Sequence, residues 1–227
     1  MIDTFILVGD KFSVFARNDG IITVSYFAAA LEDGKIEQGR VIRGQGVTDS
    51  WMSHILEIAD RIKIPLALSP DSYRPNRASR RTCHKMKRQN VLISEPAPVR
   101  NEVFAAQLLI DEDCELMGDH QTGHHLQGML LVEAARQMFL TVIERFLRPG
   151  RENYAVINRL DTSFQAFAFP IATIVELTVL TRDEAKPDRA TYDVEVAFLQ
   201  CGEKVTTVET RFTVFDAAKL APKEERM

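Results

Sequence analysis

The residues best suited to chemistry lie between Gly118 and Gln137, where GDHQTGHHLQGMLLVEAARQ gathers three histidines, a glutamate and an arginine around the start of an apolar run. The imidazole of His120, with an ordinary pKa of about 6.5, suits proton transfer near neutrality. Glu133 is a second candidate acid or base, its carboxyl pulled up by burial and down by Arg136 three residues further on. Arg136 offers a planar guanidinium that matches a carboxylate or a phosphate. The same two residues also read as a buried ion pair that fixes helix register. Gly128 lets the backbone approach a ligand closely. Asp119 either orients His120 or caps the next turn. His120, His124 and His125 have a spacing that suits a metal on a helix, but a convincing fourth ligand is missing, so no metal is expected.

These side chains need a helix to carry them. From Leu126 to Leu147 apolar residues fall on nearly every side, which predicts a buried helix stopped by Pro149 and Gly150. Glu133, Arg136 and Gln137 share one stripe of it. Around it, Val91 to Ile93, Val103 to Ile110, Tyr154 to Phe167, Ile171 to Thr181, Thr191 to Leu199 and Val205 to Phe215 read as strands. Alternation is plain where Tyr192, Val194, Val196 and Phe198 share a face. No helix interrupts the last four strands, so an antiparallel sheet curled around the helix is expected rather than a parallel one. Upstream, Phe5 to Val8, Phe12 to Phe15 and Ile21 to Leu31 read as strands. The last is followed by an Asp-Gly turn in EDGK and a return strand in GRVIRG, a hairpin. A helix follows from Trp51 to about Ile62, capped by Asp49 or Ser50, and its His54, near the apolar face, reads as a lone helix histidine that hydrogen-bonds locally.

Residues 69 to 88 break the pattern with Arg74, Arg77, Arg80, Arg81, Lys85, Lys87 and Arg88. They read as a solvated basic linker, or else as a docking surface for an acidic carrier or for phosphates. The expected division is therefore a small module over 1–83, built of hairpin plus helix or a degenerate half of the main fold, and a main domain over 84–227. A net charge of −4 in 227 residues, with 45% hydrophobic and 26% charged residues, describes an ordinary globular chain. Neither nucleic-acid binding nor a membrane span is expected from it, and the N-terminus has no secretory pattern, which points to the cytoplasm. Cys83, Cys114 and Cys201 are too scattered for a disulfide framework or a structural zinc site.

A helix laid in a curled antiparallel sheet and opened by a histidine loop and a glycine resembles the hotdog fold, an α+β architecture. In the 3-hydroxyacyl carrier-protein dehydratases of that superfamily a Gly-His-Phe-Pro loop precedes Pro-Gly and then a glutamate. Here His120, Gly128 and Glu133 match, while Gln121-Thr122 and Gln127 stand where the prolines would be. The chain more closely resembles the A-factor biosynthesis hotdog family. Asp119-His120, the block from Gly128 to Gln137 and the His84-Lys85 segment before Asn90-Val91-Leu92 carry that likeness, over about residues 84 to 215. It implies an acyl-thioester enzyme that moves a β-ketoacyl group from coenzyme A or an acyl carrier protein to a dihydroxyacetone-phosphate type acceptor, without a cofactor. It also implies a homodimer in which the histidine loop of one chain meets the helix of the other.

On that resemblance His120, Glu133 and Arg136 are the expected catalytic residues, and Asp119, Gly128, Met129 and Gln137 the substrate-binding ones. In acyl transfer Glu133 deprotonates the acceptor while Arg136 holds its phosphate. In dehydration His120 removes the α-proton and Glu133 protonates the leaving hydroxyl. A non-catalytic hotdog that binds an acyl chain is the third reading.

Overall fold

The computed structural model describes residues 3–118, 122–186 and 189–216. Two sheets organise them. The first has four parallel strands in the order β2-β1-β3-β4, with β1 at Thr4–Val8, β2 at Ile21–Thr23, β3 at Gly39–Arg43 and β4 at Leu66–Leu68. Helices α1 (Val24–Glu32) and α2 (Asp49–Arg61) form the crossovers. Period-2 alternation splits β1 between two cores. Leu7 and Phe5 pack with Phe27, Leu31 and Ile55 under the helices, and Val8 and Ile6 face the larger core of the second sheet.

The expected hairpin in this region is not formed. Ile21–Thr23 is strand, but Ser25-Tyr26-Phe27-Ala28-Ala29-Ala30-Leu31 is rich in strong helix formers and continues as α1. The Asp-Gly pair then ends that helix. Gly34 takes φ +69°, and the amides of Gly34 and Lys35 donate to the carbonyls of Leu31 and Ala30 at 3.0 and 2.9 Å. The return strand exists as β3, but it lies parallel to β1, so the module is α/β and has no half-hotdog topology. Phe12 and Phe15, expected in a strand, sit buried in short 3₁₀ turns. Helix α2 starts two residues before the expected Trp51, and its cap is Thr48 rather than Asp49 or Ser50, the Thr48 hydroxyl accepting from the Trp51 amide at 3.2 Å. His54 is exposed beside the Trp51 ring.

The second sheet has six antiparallel strands in the order β5-β6-β8-β9-β10-β7. These are β5 (Ala97–Arg100), β6 (Val103–Gln107), β7 (Asn153–Phe164), β8 (Ile174–Lys186), β9 (Arg189–Gln200) and β10 (Glu203–Asp216). Val91–Ile93, expected as a strand, makes only an isolated bridge from Ile93 to Leu108. The long helix α3 (Gly128–Val142) continues as a π-helical turn through Leu147 and packs against β7, β8, β9 and β10. Phe139 stacks on Phe212 at 4.7 Å, and Phe212 on Tyr192 at 5.5 Å. This is the α+β hotdog arrangement, with a small α/β region ahead of it.

The two sheets meet through Gln45. Its amide nitrogen donates to the carbonyls of Leu108 and Ile171 at 2.9 and 3.2 Å, and its oxygen accepts from the Ile110 amide at 2.8 Å. Gln45 is 3% exposed, so these bonds satisfy a side chain that has no water to turn to. The basic stretch divides: Arg74 and Arg77 turn inward onto Asp111, while Arg80, Arg81, Lys87 and Arg88 stay exposed as a solvated stretch would. Among the described residues no helix is long and apolar enough to cross a membrane.

Candidate functional site

Helix α3 starts at Gly128 because a bulky ring lies across its first turn. A Cβ at this position would come within 2.8 and 2.9 Å of the Phe164 ring at the end of β7. Gly128 and Leu131 line an apolar cavity of about 230 Å³ together with His125, Phe164, Phe167 and Ala168. Phe164 and Phe167 are 57% and 65% exposed, so they form a greasy mouth rather than core. The first amides of a helix have no intrahelical acceptor and carry partial positive charge, and this cavity opens beside them. An apolar chain with a polarised carbonyl at its head fits such a place.

The charged stripe of α3 points elsewhere. At about 100° per residue, Glu133 lies about 160° around the helix from Leu131. Its carboxylate faces the segment 82–92 and is enclosed by donors. Arg136 binds it with Nε at 2.8 Å and Nη2 at 2.9 Å, Lys85 Nζ at 2.7 Å and Gln137 Nε2 at 3.0 Å. Burial pushes this carboxyl up, but the hydrogen bonds from Arg136, Lys85 and Gln137 outweigh it and hold it down at about 2. At neutral pH it is an ionised anchor, already bonded on both oxygens. Arg136, raised by the Glu133 carboxylate, also donates to the Cys83 carbonyl at 3.2 Å.

Gln137 completes the docking of that segment. It is fully buried, accepts from the Leu92 amide at 2.8 Å and donates to the Asn90 carbonyl at 2.8 Å. His84 sits in the left-handed region at φ 52° with its imidazole pushed down by burial and by Arg136. The structure thus brings together Glu133, Arg136 and Gln137, and adds Lys85, which the sequence reading placed in the basic run without pairing it with Glu133. The His-Lys likeness at 84–85 was the available signal.

Of the other expected site residues, Met129 is 60% exposed on the same side of α3 as Glu133 and Arg136. Asp119 and His120 lie outside the described residues. His125, set aside with the other histidines, lines the apolar cavity with its ring 4.8 Å from Phe167, and Thr122 Oγ1 lies 3.3 Å from its Nδ1. His124 packs edge-on against Phe15 and Phe169. No three His, Cys, Asp or Glu side chains converge as a metal set among the described residues.

Comparison with known families matches residues 66–216 to the A-factor biosynthesis hotdog domain, more than half of the chain. The chain belongs to this family. The A-factor hotdog match begins at β4, upstream of the boundary expected at residue 84. No curated protein matches the sequence. Solved structures resemble the hotdog part at low identity. A chain of a dehydratase heterocomplex from Xenorhabdus doucetiae is 13% identical, over 60% of this chain and 90% of its own, with a TM-score of 0.44. A thioesterase from Haemophilus influenzae is 10% identical over 55% and 78%, at 0.40. A mutant thioesterase from Pseudomonas aeruginosa is 11% identical over 54% and 81%, at 0.39.

Proposed function

We propose that this A-factor hotdog chain processes acyl thioesters, transferring a β-ketoacyl group from coenzyme A or an acyl carrier protein to a hydroxyl acceptor. The observation that carries this reading is the apolar cavity at the amide end of α3, with Gly128 at its edge and Phe164 and Phe167 at its mouth. The acyl chain lies among these residues and the first-turn amides polarise the thioester carbonyl. The acceptor oxygen bonds to the carbonyl carbon, the carbon–sulfur bond breaks, and the acceptor proton leaves with the thiolate. His120 relays that proton. The four donors around Glu133 support an orienting role for it, holding Arg136 and Lys85 toward an anionic acceptor, over the proton-transfer role expected from the sequence.

The site is completed by a second copy of the chain. Among the described residues β7 is an edge strand of 12 residues, paired with β10 alone, and it exposes Ile157 and Phe164. In this reading, pairing of two such edges brings the exposed Met129 of one helix, with the Lys85–Arg136 cluster beside it, to the partner's cavity.

Incubation with a panel of acyl-CoA and acyl-carrier thioesters, with and without a phosphorylated hydroxyketone, tests this by mass spectrometry. The expected product is an ester of the acceptor with release of free thiol, lost on replacing His120 by Ala. Loss of water from a 3-hydroxyacyl thioester would instead establish dehydration. That outcome is disfavoured because a carboxyl held at about 2 carries no proton to donate near neutrality. A thioester bound unchanged would establish an acyl-binding role.

A further inference from the structure

The inward turn of the basic stretch builds a second polar site, remote in chemistry from the apolar cavity. Asp49, Arg74, Asn76, Arg77 and Arg88 line a partly open pocket of about 70 Å³. One water needs roughly 10–15 Å³ of such space, so a small oxyanion has room. The space lies beside the start of α2, just after the carboxyl end of β3, and ligands of parallel sheets favour the region outside those ends.

The charges around it do not balance. Arg77 Nη2 meets Asp111 Oδ2 at 2.7 Å, and Arg43 Nη1 meets Asp49 Oδ1 at 2.8 Å, with the rest of the Arg43 guanidinium spent on the Val47 carbonyl. Two more guanidinium groups share the same two carboxylates at longer range. Arg74 Nη1 is 3.6 Å from Asp111 Oδ1, and Arg88 Nη2 is 3.9 Å from Asp49 Oδ2. Four arginines against two aspartates leave two positive charges in excess.

The Arg74 side chain is only 11% exposed, and although its Nη2 donates to the Gly44 carbonyl at 2.6 Å, its buried Nη1 makes no hydrogen bond among the described residues. Burial, with Arg43 and Arg77 close by, pushes this guanidinium down to about 9, which marks how poorly its charge is compensated. Buried cations persist when a counter-ion or a ligand pairs with them. Arg88, 73% exposed, stands at the rim where it can close over an incoming group.

We propose that this cavity binds a phosphoryl group, with Arg74 as its floor, Arg88 as its clasp and Arg77, whose Nη1 donates to the Val91 and Leu109 carbonyls, adding positive charge behind them. A phosphoryl dianion brings the two negative charges that the cluster lacks and enough acceptor oxygens for several guanidinium donors, whereas a carboxylate brings one charge. The group arrives either on coenzyme A or on a free phosphorylated small molecule. This assignment does not depend on the acyl-transfer reading and survives its failure.

Calorimetric titration of the whole chain with inorganic phosphate, at constant ionic strength against a chloride control, tests it. Saturable binding of one phosphate per chain is expected, weakened at least ten-fold in Arg88→Ala and abolished in Arg74→Met. Arg88→Ala removes an exposed side chain, so it keeps the test decisive even if Arg74→Met fails to fold. Absence of saturable binding, or binding undiminished in Arg88→Ala, overturns the proposal. Parallel titrations with coenzyme A, 3′-dephospho-coenzyme A and glycerol phosphate name the source. Tighter binding of coenzyme A than of its dephospho form, abolished in Arg88→Ala, supports the first source, and Arg88-dependent binding of glycerol phosphate the second.

Discussion

Protonating Glu133 should release the segment 82–92 from α3. Its carboxyl stands at about 2 in the folded chain against an ordinary value of 4.5. At about 1.4 kcal/mol per pKa unit this depression is worth at most about 3.5 kcal/mol of folding stability, and screening at its partly open side brings the expected contribution to about 2 kcal/mol. The folded value is the lower one, so the stabilisation is fully present above about pH 5 and drains away as the pH falls toward 2. Glu133→Gln keeps the shape, removes the titration and leaves Lys85 and Arg136 without their shared anion. Urea unfolding of both proteins at intervals from pH 7 to pH 2.5 would measure the gap. Wild type should be more stable by about 2 kcal/mol at pH 7, and the gap should narrow steadily below pH 5. Other carboxylates titrate in both proteins and cancel in the difference. A gap that stays constant across this range, or a Gln variant as stable as wild type at pH 7, would refute the claim that the four donors hold an ionised carboxylate.

Gly128→Ala puts a methyl group against the Phe164 ring and should cost about 1 kcal/mol in thermal unfolding. Adding Phe164→Ala should recover most of that, because the obstructing ring is gone. Gln137→Leu strips the buried Leu92 amide and Asn90 carbonyl of their partner, so a loss of about 2–4 kcal/mol is expected, with faster hydrogen exchange at Leu92. Ile157→Lys on the exposed edge of β7 should convert a dimer to monomer by light scattering, and a wild-type monomer would refute the edge pairing.

The hotdog part is legible because its signals are local and redundant. Helix α3 announces itself by apolar residues on every side and by Pro149-Gly150 after it, and β9 and β10 by unbroken alternation. The N-terminal module is less legible, since Ile21 to Leu31 changes from strand to helix within one apolar run, and Asp-Gly ends a helix as readily as it turns a hairpin. The burial of Arg74 and Arg77 depends on Asp111, far along the chain, so the start of a basic run that looks solvated by composition folds inward. The same distance hides the Lys85–Glu133 pair. His125 escaped notice for another reason. Its neighbours at the cavity, Phe164 and Phe167, belong to the far end of β7 and the loop after it, and nothing local to the histidine cluster names them.

The two faces of α3 show which of the two influences on Glu133, burial or its donors, prevails in the folded chain. A charge on an apolar helix looks poised to react because burial raises a carboxylate's pKa. Here the raising influence is real, but three donor side chains reach the same two oxygens, and the balance turns the group into an anchor. The apolar cavity meanwhile opens on the opposite flank, lined by His125, Gly128 and Leu131. Within one chain, then, the helix separates the groove that suits an acyl chain from the charges that suit an anion. A reaction joining the two needs either a second chain, as proposed, whose charged stripe faces this cavity, or a substrate long enough to round the helix end at Gly128.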